Sequence, residues 1–196
     1  MADLVTLSQY KEAEGISTSK DDLRFNSIIP SVSELVKTYC SNSFVDFYSS
    51  NKTEIFTIDW DTYVVQLTES PVNSIVSVQE RSTYGGAYST LTTGDSEYYL
   101  EPTTDSILRT NVSGRYQNWP KGVGSVKVVY TGGYSEVPAD LKLAIFDLIT
   151  YYFKDEHKQR QSIAGATLQN QGSSSQSMNV GFPDHIKRVL DLYKTY

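Results

Sequence analysis

The pattern of hydrophobic and polar positions divides the chain into helical ends and a strand-rich middle. Toward the N-terminus, apolar residues recur at the three- and four-residue spacing of an amphipathic helix. From Thr53 to Thr131 this spacing gives way to short alternating runs separated by turn residues, and after Pro138 the helical spacing returns. The sequence therefore predicts an α+β fold, with a helical bundle from the N- and C-terminal segments and an inserted antiparallel β-sheet or barrel-like segment.

Two helices are predicted near the N-terminus. Thr6 with Gln9 forms a capping-box pattern that begins a short helix, and Ser19 with Asp22 repeats the pattern ahead of a longer one. Pro30 falls inside the longer helix, where its ring and missing N–H predict a kink or break. The apolar stripe of this helix is Ile28, Ile29, Val32, Leu35, Val36, Tyr39 and Cys40.

The middle of the chain predicts six or seven short strands. The runs TEIFTID, TYVVQLT, SIVSVQERS, EYYLE, SILRT and SVKVVYT are rich in β-branched and aromatic residues and are separated by turn residues. We therefore expect domain boundaries that assign 1–50 and 134–196 to the helical core and 51–133 to the inserted β-rich segment.

The stretch from Tyr130 to Ala144 predicts the return from strand to helix. Gly132 and Gly133 supply a flexible pivot, Ser135 or Glu136 can lead in the new helix, and Pro138 suits its first turn. This helix is expected to run to about residue 157.

The helix after Pro138 carries two apolar stripes, which indicates two buried faces. One stripe is Leu141, Ala144, Ile145, Leu148 and Tyr152. The second, interpreted as an oligomer interface, is Leu143, Phe146, Ile149 and Phe153. The alternative is a helix at the centre of the bundle. Beyond it, 159–181 is poor in charge and in large apolar residues, so we expect a flexible loop there, followed by a final amphipathic helix from Pro183.

Charge and composition exclude several classes of protein. The formal charge of -6 argues against a conventional nucleic-acid-binding domain, which carries a basic face. No signal peptide or membrane-spanning run is predicted, so no membrane partner is expected. The 15 tyrosines suggest either contact surfaces or a tyrosine-rich sheet. Cys40 is the only cysteine and is interpreted as a core residue.

The chain offers little for catalysis. His157 and His185 have no partner at metal-binding spacing, and the pairs Asp59 with Asp61 and Asp155 with Glu156 are typical of a turn and a solvated helix end. The glycines form no phosphate-binding loop. We predict no catalytic, cofactor-binding or metal residues and no cofactor. A hydrolase using Asp59, Asp61 or Glu97 is a minor alternative.

Aromatic residues in the β-rich segment support a second alternative. A carbohydrate- or receptor-binding module could use Tyr84, Tyr88, Tyr98, Tyr99, Tyr116 and Trp119. The nearby Arg81, Arg109, Arg115, Lys121 and Lys127 are more typical of charged strand edges that discourage aggregation.

The ordered parts of the chain resemble the head-tail connector, or adaptor, family of tailed bacteriophages. The segments that carry the resemblance are LVTLSQYKEAEGIS, SKDDLRFNSIIPSVSELVKTYC, QLTESPVNSIVSVQE, VKVVYTGGYSEVPADLKLAIFDLITYYF and FPDHIKRVLDLYKTY. The resemblance implies a structural virion protein without enzymatic activity. It would be assembled in the host cytoplasm and located in the neck.

The resemblance also implies partners. These are a ring of identical subunits, here expected to be a dodecamer, the portal protein above it, and tail or stopper proteins below. A central channel would pass DNA at ejection without sequence-specific binding. The final helix would contact the portal or a neighbouring subunit through Phe182, Ile186, Val189, Leu190, Tyr193 and Tyr196.

Overall fold

The computed structural model describes residues 2–93, 96–154 and 182–194. The described residues form two compact units, one from 2–41, 137–154 and 182–194 and one from 42–93 and 96–136. The first unit holds the four helices of the described chain, and the second holds its seven strands. The α+β class is therefore confirmed.

The first unit contains α1 (Leu7–Ala13), α2 (Asp22–Cys40), α3 (Ala139–Phe153) and α4 (Asp184–Leu192). The longer helices α2 and α3 pack against each other and both contact α4, while α1 packs on α2. Their buried faces follow the apolar spacing of the sequence. The core of this unit includes Phe25, Ile29, Val36, Leu141, Ile145, Leu148, Ile186 and Leu190.

The first capping prediction is confirmed and the second is wrong. Gln9 N donates to Thr6 Oγ1 at 3.2 Å and Thr6 N donates to Gln9 Oε1 at 2.9 Å, which completes the box. The N-cap of α2 is Asp21 rather than Ser19. Asp22 does not reach back because its carboxylate accepts a 2.8 Å hydrogen bond from Lys11 Nζ.

Of the three prolines at helices, Pro138 and Pro183 differ from expectation in position, and at Pro30 the expected break is absent. Pro30 does not break α2, which continues as one helix although that residue cannot donate to the preceding turn. Pro138 and Pro183 are the N-caps of α3 and α4 and lie one residue before the first turn. Helix α3 ends at Phe153, earlier than expected. The predicted loop at 159–181 lies outside the described residues.

The second unit contains β1 (Lys52–Ile58), β2 (Val64–Gln66), β3 (Val72–Glu80), β4 (Ser89–Leu91), β5 (Tyr98–Glu101), β6 (Ser106–Arg109) and β7 (Gly122–Gly132). All pairings are antiparallel, in a four-stranded sheet of order β1-β7-β3-β4 and a three-stranded sheet of order β2-β6-β5. Neither sheet closes, so the barrel-like alternative is wrong. The short strand β4 was not predicted.

The four-stranded sheet buries one face. Val126, Val128 and Tyr130 of β7 and Val78 of β3 are fully buried and form a core with side chains of the three-stranded sheet. Residues that alternate with them point to the other side of the sheet. The register of β7 is therefore fixed by this alternation, because a shift of one residue would expose the core side chains.

Candidate functional site

The two ends of the second unit are joined where Gly133 meets Phe44. Gly133 has a φ of 92°, and a Cβ on it would lie 2.0 Å from the carbonyl oxygen of Phe44. The same carbonyl accepts a 2.6 Å hydrogen bond from Tyr134 N. Gly133 N donates to the carbonyl oxygen of Pro71 at 2.7 Å. Only glycine fits here, because both its conformation and the space around it exclude a side chain.

Glu69 stabilises this contact through hydrogen bonds and an ion pair, and we call the resulting cluster of Ser43, Lys52, Glu54, Glu69 and Tyr130 the Glu69 joint. Its carboxylate accepts hydrogen bonds from the backbone N and Oγ of Ser43 at 3.0 and 2.5 Å, and from Lys52 Nζ at 2.7 Å. Lys52 Nζ also lies 3.1 Å from Glu54 Oε1. Tyr130 OH donates to Glu54 Oε1 at 2.9 Å and accepts from Glu69 N at 3.1 Å. Burial raises the pKa of the Tyr130 hydroxyl above its ordinary value.

This network stabilises the fold and offers no acid or base for catalysis. Each carboxylate has a cationic or hydroxyl partner, and Glu69 is buried. A general acid or base needs a position open to a substrate proton, and this network presents none. The described residues also contain no group of three or more His, Cys, Asp or Glu side chains that could hold a metal ion.

A second ion pair connects the two sheets of the unit. Arg109 of β6 forms a bidentate pair with Glu80 of β3, with both N–O distances at 2.9 Å. The guanidinium also donates to the carbonyl oxygens of Glu97 and Thr110. Arg109 is buried, so the pair depends on this full set of partners to offset the cost of removing charge from water.

The opposite side of the four-stranded sheet differs in chemistry. We name it the outer face, and it consists of Thr53, Ile55, Ser74, Ser77, Gln79, Thr90, Lys127, Val129 and Thr131. It contains no carboxylate, because Glu54 and Glu80 point to the inner side. Ile55 is 60% exposed, and Val76, the extra residue of a bulge beside the face, is 55% exposed.

Arg81 lies across one end of the outer face. Its Nε donates to the carbonyl oxygen of Gly124 at 3.0 Å, and its guanidinium lies 4.7 Å from the ring of Tyr88 and 5.4 Å from that of Tyr84. Lys127 Nζ lies 5.7 Å from the Tyr88 ring. Within the described residues, neither cation has a carboxylate at ion-pair distance. Cation–π contacts thus hold two unneutralised charges in place.

The minor hydrolase candidates have ordinary surface roles. Asp59 and Asp61 lie on the exposed turn after β1, and Asp61 pairs with Lys121 at 3.1 Å. Glu97 accepts a 2.8 Å hydrogen bond from Thr92 N on the surface of the unit. Asp155 and Glu156 lie outside the described residues.

Cys40 is buried in the first unit, as predicted. Burial raises the pKa of its thiol from 9.0 to about 12. His185 is exposed on α4, with its Nε2 3.9 Å from Asp147 Oδ2 on α3. His157 lies outside the described residues.

The aromatic residues of the second unit fall into three environments. Trp119 is only 2% exposed and cannot present its ring to a sugar. Tyr84 and Tyr88 flank Arg81 at the outer face. Tyr98, Tyr99 and Tyr116 line an open groove of about 820 Å³. The structure therefore brings three of the six proposed carbohydrate-binding residues together and separates out the remainder.

The four residues predicted at an oligomer interface differ in burial. Leu143 is 63% exposed, whereas Ile149 is fully buried within the first unit. Phe146 is half-buried with its ring 6.0 Å from that of Tyr10, and Phe153 is half-buried with its ring 4.5 Å from that of Phe25. Only Leu143 of the four is exposed in the isolated chain.

The residues predicted to contact the portal lie mostly on the inner side of α4. Phe182, Ile186 and Leu190 are buried, and Val189 and Tyr193 are half-buried. Tyr193 OH donates to Asp140 Oδ1 of α3 at 2.6 Å. Tyr196 lies outside the described residues.

The chain matches the head completion protein family over residues 3–196. It belongs to that family. A curated relative, the head completion protein of Escherichia phage T5, is 23% identical over 139 residues, which cover 63% of this chain and 79% of the relative.

Solved structures show the same fold at lower identity. The neck of an empty gene transfer agent particle with C6 symmetry matches with a TM-score of 0.61 and 14% identity, covering 98% of this chain and 90% of the other. The neck of the native particle with C12 symmetry matches with a TM-score of 0.57 and 15% identity, covering 100% and 94%.

As a member of the head completion protein family, the chain is a structural component of a phage particle and not an enzyme. The resemblance to head-tail connectors is thereby confirmed. In the described residues, no helix has the length and apolar character needed to cross a bilayer.

Sequence reasoning missed both the outer face and the Glu69 joint. The alternation Lys127, Val129, Thr131 could have indicated an exposed strand side. Nothing in the sequence around Glu69 indicates that this carboxylate is buried.

Proposed function

We propose that this head completion protein forms a ring of identical subunits at the phage neck. The ring docks against the portal protein on the head side and against tail or stopper proteins on the other, and it leaves a channel through which DNA passes. The observation that carries the proposal is a fold match over nearly the whole chain to solved necks, and the C12 symmetry of one of them supports a ring of twelve subunits. Assembly takes place in the host cytoplasm before the head and tail join.

The subunit contacts in this proposal use surfaces that the isolated chain leaves exposed. On α3 that surface is centred on Leu143, while Ile149 keeps the helix in place from inside. On α4 the half-buried Val189 and Tyr193 are accessible to the portal or a neighbouring subunit, and the buried Phe182, Ile186 and Leu190 hold the helix on its own unit. The mild acidity of the chain suits a channel wall that does not grip DNA.

The test combines native mass spectrometry and electron microscopy of the chain with and without the portal. We expect rings on the portal, and a chain that stays monomeric in its presence would contradict the proposal. Leu143→Asp should reduce ring yield at least about tenfold, because it places a charge in an apolar contact. Leu23→Asp is the matched control, since Leu23 is 89% exposed at the first turn of α2, where an acidic residue is tolerated.

A carbohydrate-binding role remains a second candidate because of the tyrosine-lined groove. Tyr98, Tyr99 and Tyr116 could stack on a sugar ring, with Glu101 at the same groove as a hydrogen-bond acceptor. A glycan array would show binding that is lost in Tyr99→Ala and retained in Tyr84→Ala. A blank array would remove this candidate.

A further inference from the structure

We propose that the outer face of the four-stranded sheet is covered, in the ring, by the Asp59–Trp60–Asp61 turn of the next copy of this chain. The inference rests on the proposed ring and names the two surfaces that meet within it. It assigns a partner to the one face of this sheet that the second unit leaves uncovered.

The composition of the outer face is that of a protein contact surface. Ile55 and Val76 are more than half exposed, and Arg81, with the rings of Tyr84 and Tyr88 on either side, lies near Ile55 beside Gly124. Aromatic residues and arginine are enriched at interfaces, and carboxylates are depleted in their cores. Gly124 contributes to this arrangement, because a Cβ there would lie 2.9 Å from Arg81 Nη2. Hydrogen bonds to the carbonyl oxygens of Gly124 and Val123 and the ring of Tyr88 hold the guanidinium before any partner arrives, which lowers the entropic cost of binding.

The positive charge of the outer face favours an acidic partner surface. The outer face carries Lys127, with Arg81 across one end, and no carboxylate, although the chain as a whole has 23 acidic and 17 basic side chains. Two copies facing each other through this surface would bring like charges together. A cyclic ring with more than two subunits instead joins two different patches of each copy, so a cationic face on one subunit can meet an acidic surface on the next.

The turn after β1 has the complementary chemistry. Trp60 is 64% exposed, which is unusual for the largest apolar side chain, and an exposed aromatic residue is a common anchor of protein interfaces. Asp59 and Asp61 flank it, and both are exposed. Trp60 can cover Ile55 of the neighbour, while Asp59 lies within reach of Lys127, which pairs with Ile55 across β1 and β7, and of Arg81.

A photo-crosslinking experiment in assembled particles tests this contact. A p-benzoylphenylalanine at Ile55 is introduced into the chain, virions are produced by complementation, and adducts are identified by peptide mass mapping after irradiation. We expect a dimer of this chain whose crosslinked peptide contains Trp60, and no such dimer from the same group at Val112, which is 78% exposed on another loop of the unit. An adduct with DNA, with another virion protein or with a different segment, or no adduct, would overturn the inference.

A charge-exchange experiment is independent of the crosslinker. Lys127→Glu and Asp59→Lys should each lower ring yield on the portal about tenfold, and the double variant should restore it. Urea unfolding of each variant verifies that the monomer is folded. Absence of rescue in folded variants would contradict the contact. If the natural chain forms no ring, the proposed function fails; if it forms rings without this contact, only the present inference fails.

Discussion

On the inner face of the four-stranded sheet each carboxylate has a cationic partner, whereas on the outer face the cations have no carboxylate partner among the described residues. Glu54 pairs with Lys52 and Glu80 with Arg109 on the inner side. Lys127 and Arg81 on the outer side contact only aromatic rings and backbone carbonyls. The difference separates two roles: the inner face stabilises the unit, and the outer face is available for assembly.

The largest effect should come from removing an inner cation. Arg109→Met leaves Glu80, whose side chain is only 19% exposed, without its cationic partner and should lower the free energy of unfolding by about 3 kcal/mol. Lys127→Met on the outer face should change it by less than about 1 kcal/mol, because a single exposed cation–π contact is weak. Tryptophan fluorescence during urea unfolding is a direct measure, since both Trp60 and Trp119 lie in the second unit. Equal losses in the two variants would contradict the contrast between the faces.

Two adjacent valines of β7 allow the same substitution to be compared on the two faces, with a smaller expected effect. Val128 is fully buried on the inner face, and Val129 is half-buried on the outer face of the same strand. Val128→Ala should cost about 2–3 kcal/mol from lost burial and the resulting cavity, and Val129→Ala less than about 1 kcal/mol. The same fluorescence measurement applies, and a larger loss for Val129→Ala would mean that the strand register is wrong.

The first unit contains a similar contrast, between a side chain that caps a helix and a side chain that does not. Thr6 caps α1 through its hydroxyl, whereas Ser19 makes no cap hydrogen bond to α2. Thr6→Ala should cost about 1 kcal/mol and Ser19→Ala about 0.5 kcal/mol or less. Circular dichroism at 222 nm during urea unfolding would measure both. A larger loss of unfolding free energy for Ser19→Ala than for Thr6→Ala would mean that Ser19 does cap α2, as the sequence predicts.

Alkaline pH should weaken the inner face gradually. Burial raises the pKa of Tyr130 above its unfolded value of 10.0, so its contribution is complete below pH 10 and is lost as pH rises toward the folded pKa. The urea midpoint of the natural chain should fall above pH 10 more steeply than that of Tyr130→Phe. Parallel slopes would show that this hydroxyl does not titrate differently in the folded unit.

The sequence predicted the elements better than their connections. Six of the seven strands and three of the four helices of the described chain follow from residue patterning, and α1 follows from the Thr6–Gln9 box, which is confirmed. Strand β4 is three residues long and lies between the predicted turns at Gly85-Gly86 and Gly94-Asp95, in a stretch that the sequence did not mark as a strand. Ser19 and Asp22 matched a capping pattern, but Asp22 is bound by Lys11, and such a tertiary contact overrides a local signal.

The sequence shows directly that catalytic motifs are missing, but it does not show which surfaces are exposed for assembly. Apolar spacing placed Leu143 and Ile149 on one stripe, yet the first is exposed and the second is buried, because the width of a contact depends on the neighbouring helices. The outer face requires knowledge of which strands pair, since Ile55 and Lys127 are neighbours only through the β1–β7 register. Pairing between distant strands is not encoded in either segment alone.

A cryo-electron microscopy reconstruction of the neck of the assembled particle tests the central claim most directly. The account predicts a closed ring of this chain between head and tail, with the outer face of each four-stranded sheet covered by the next subunit and a channel along the symmetry axis. A neck in which this chain forms no ring, or a ring in which every outer face remains open to solvent, would contradict it.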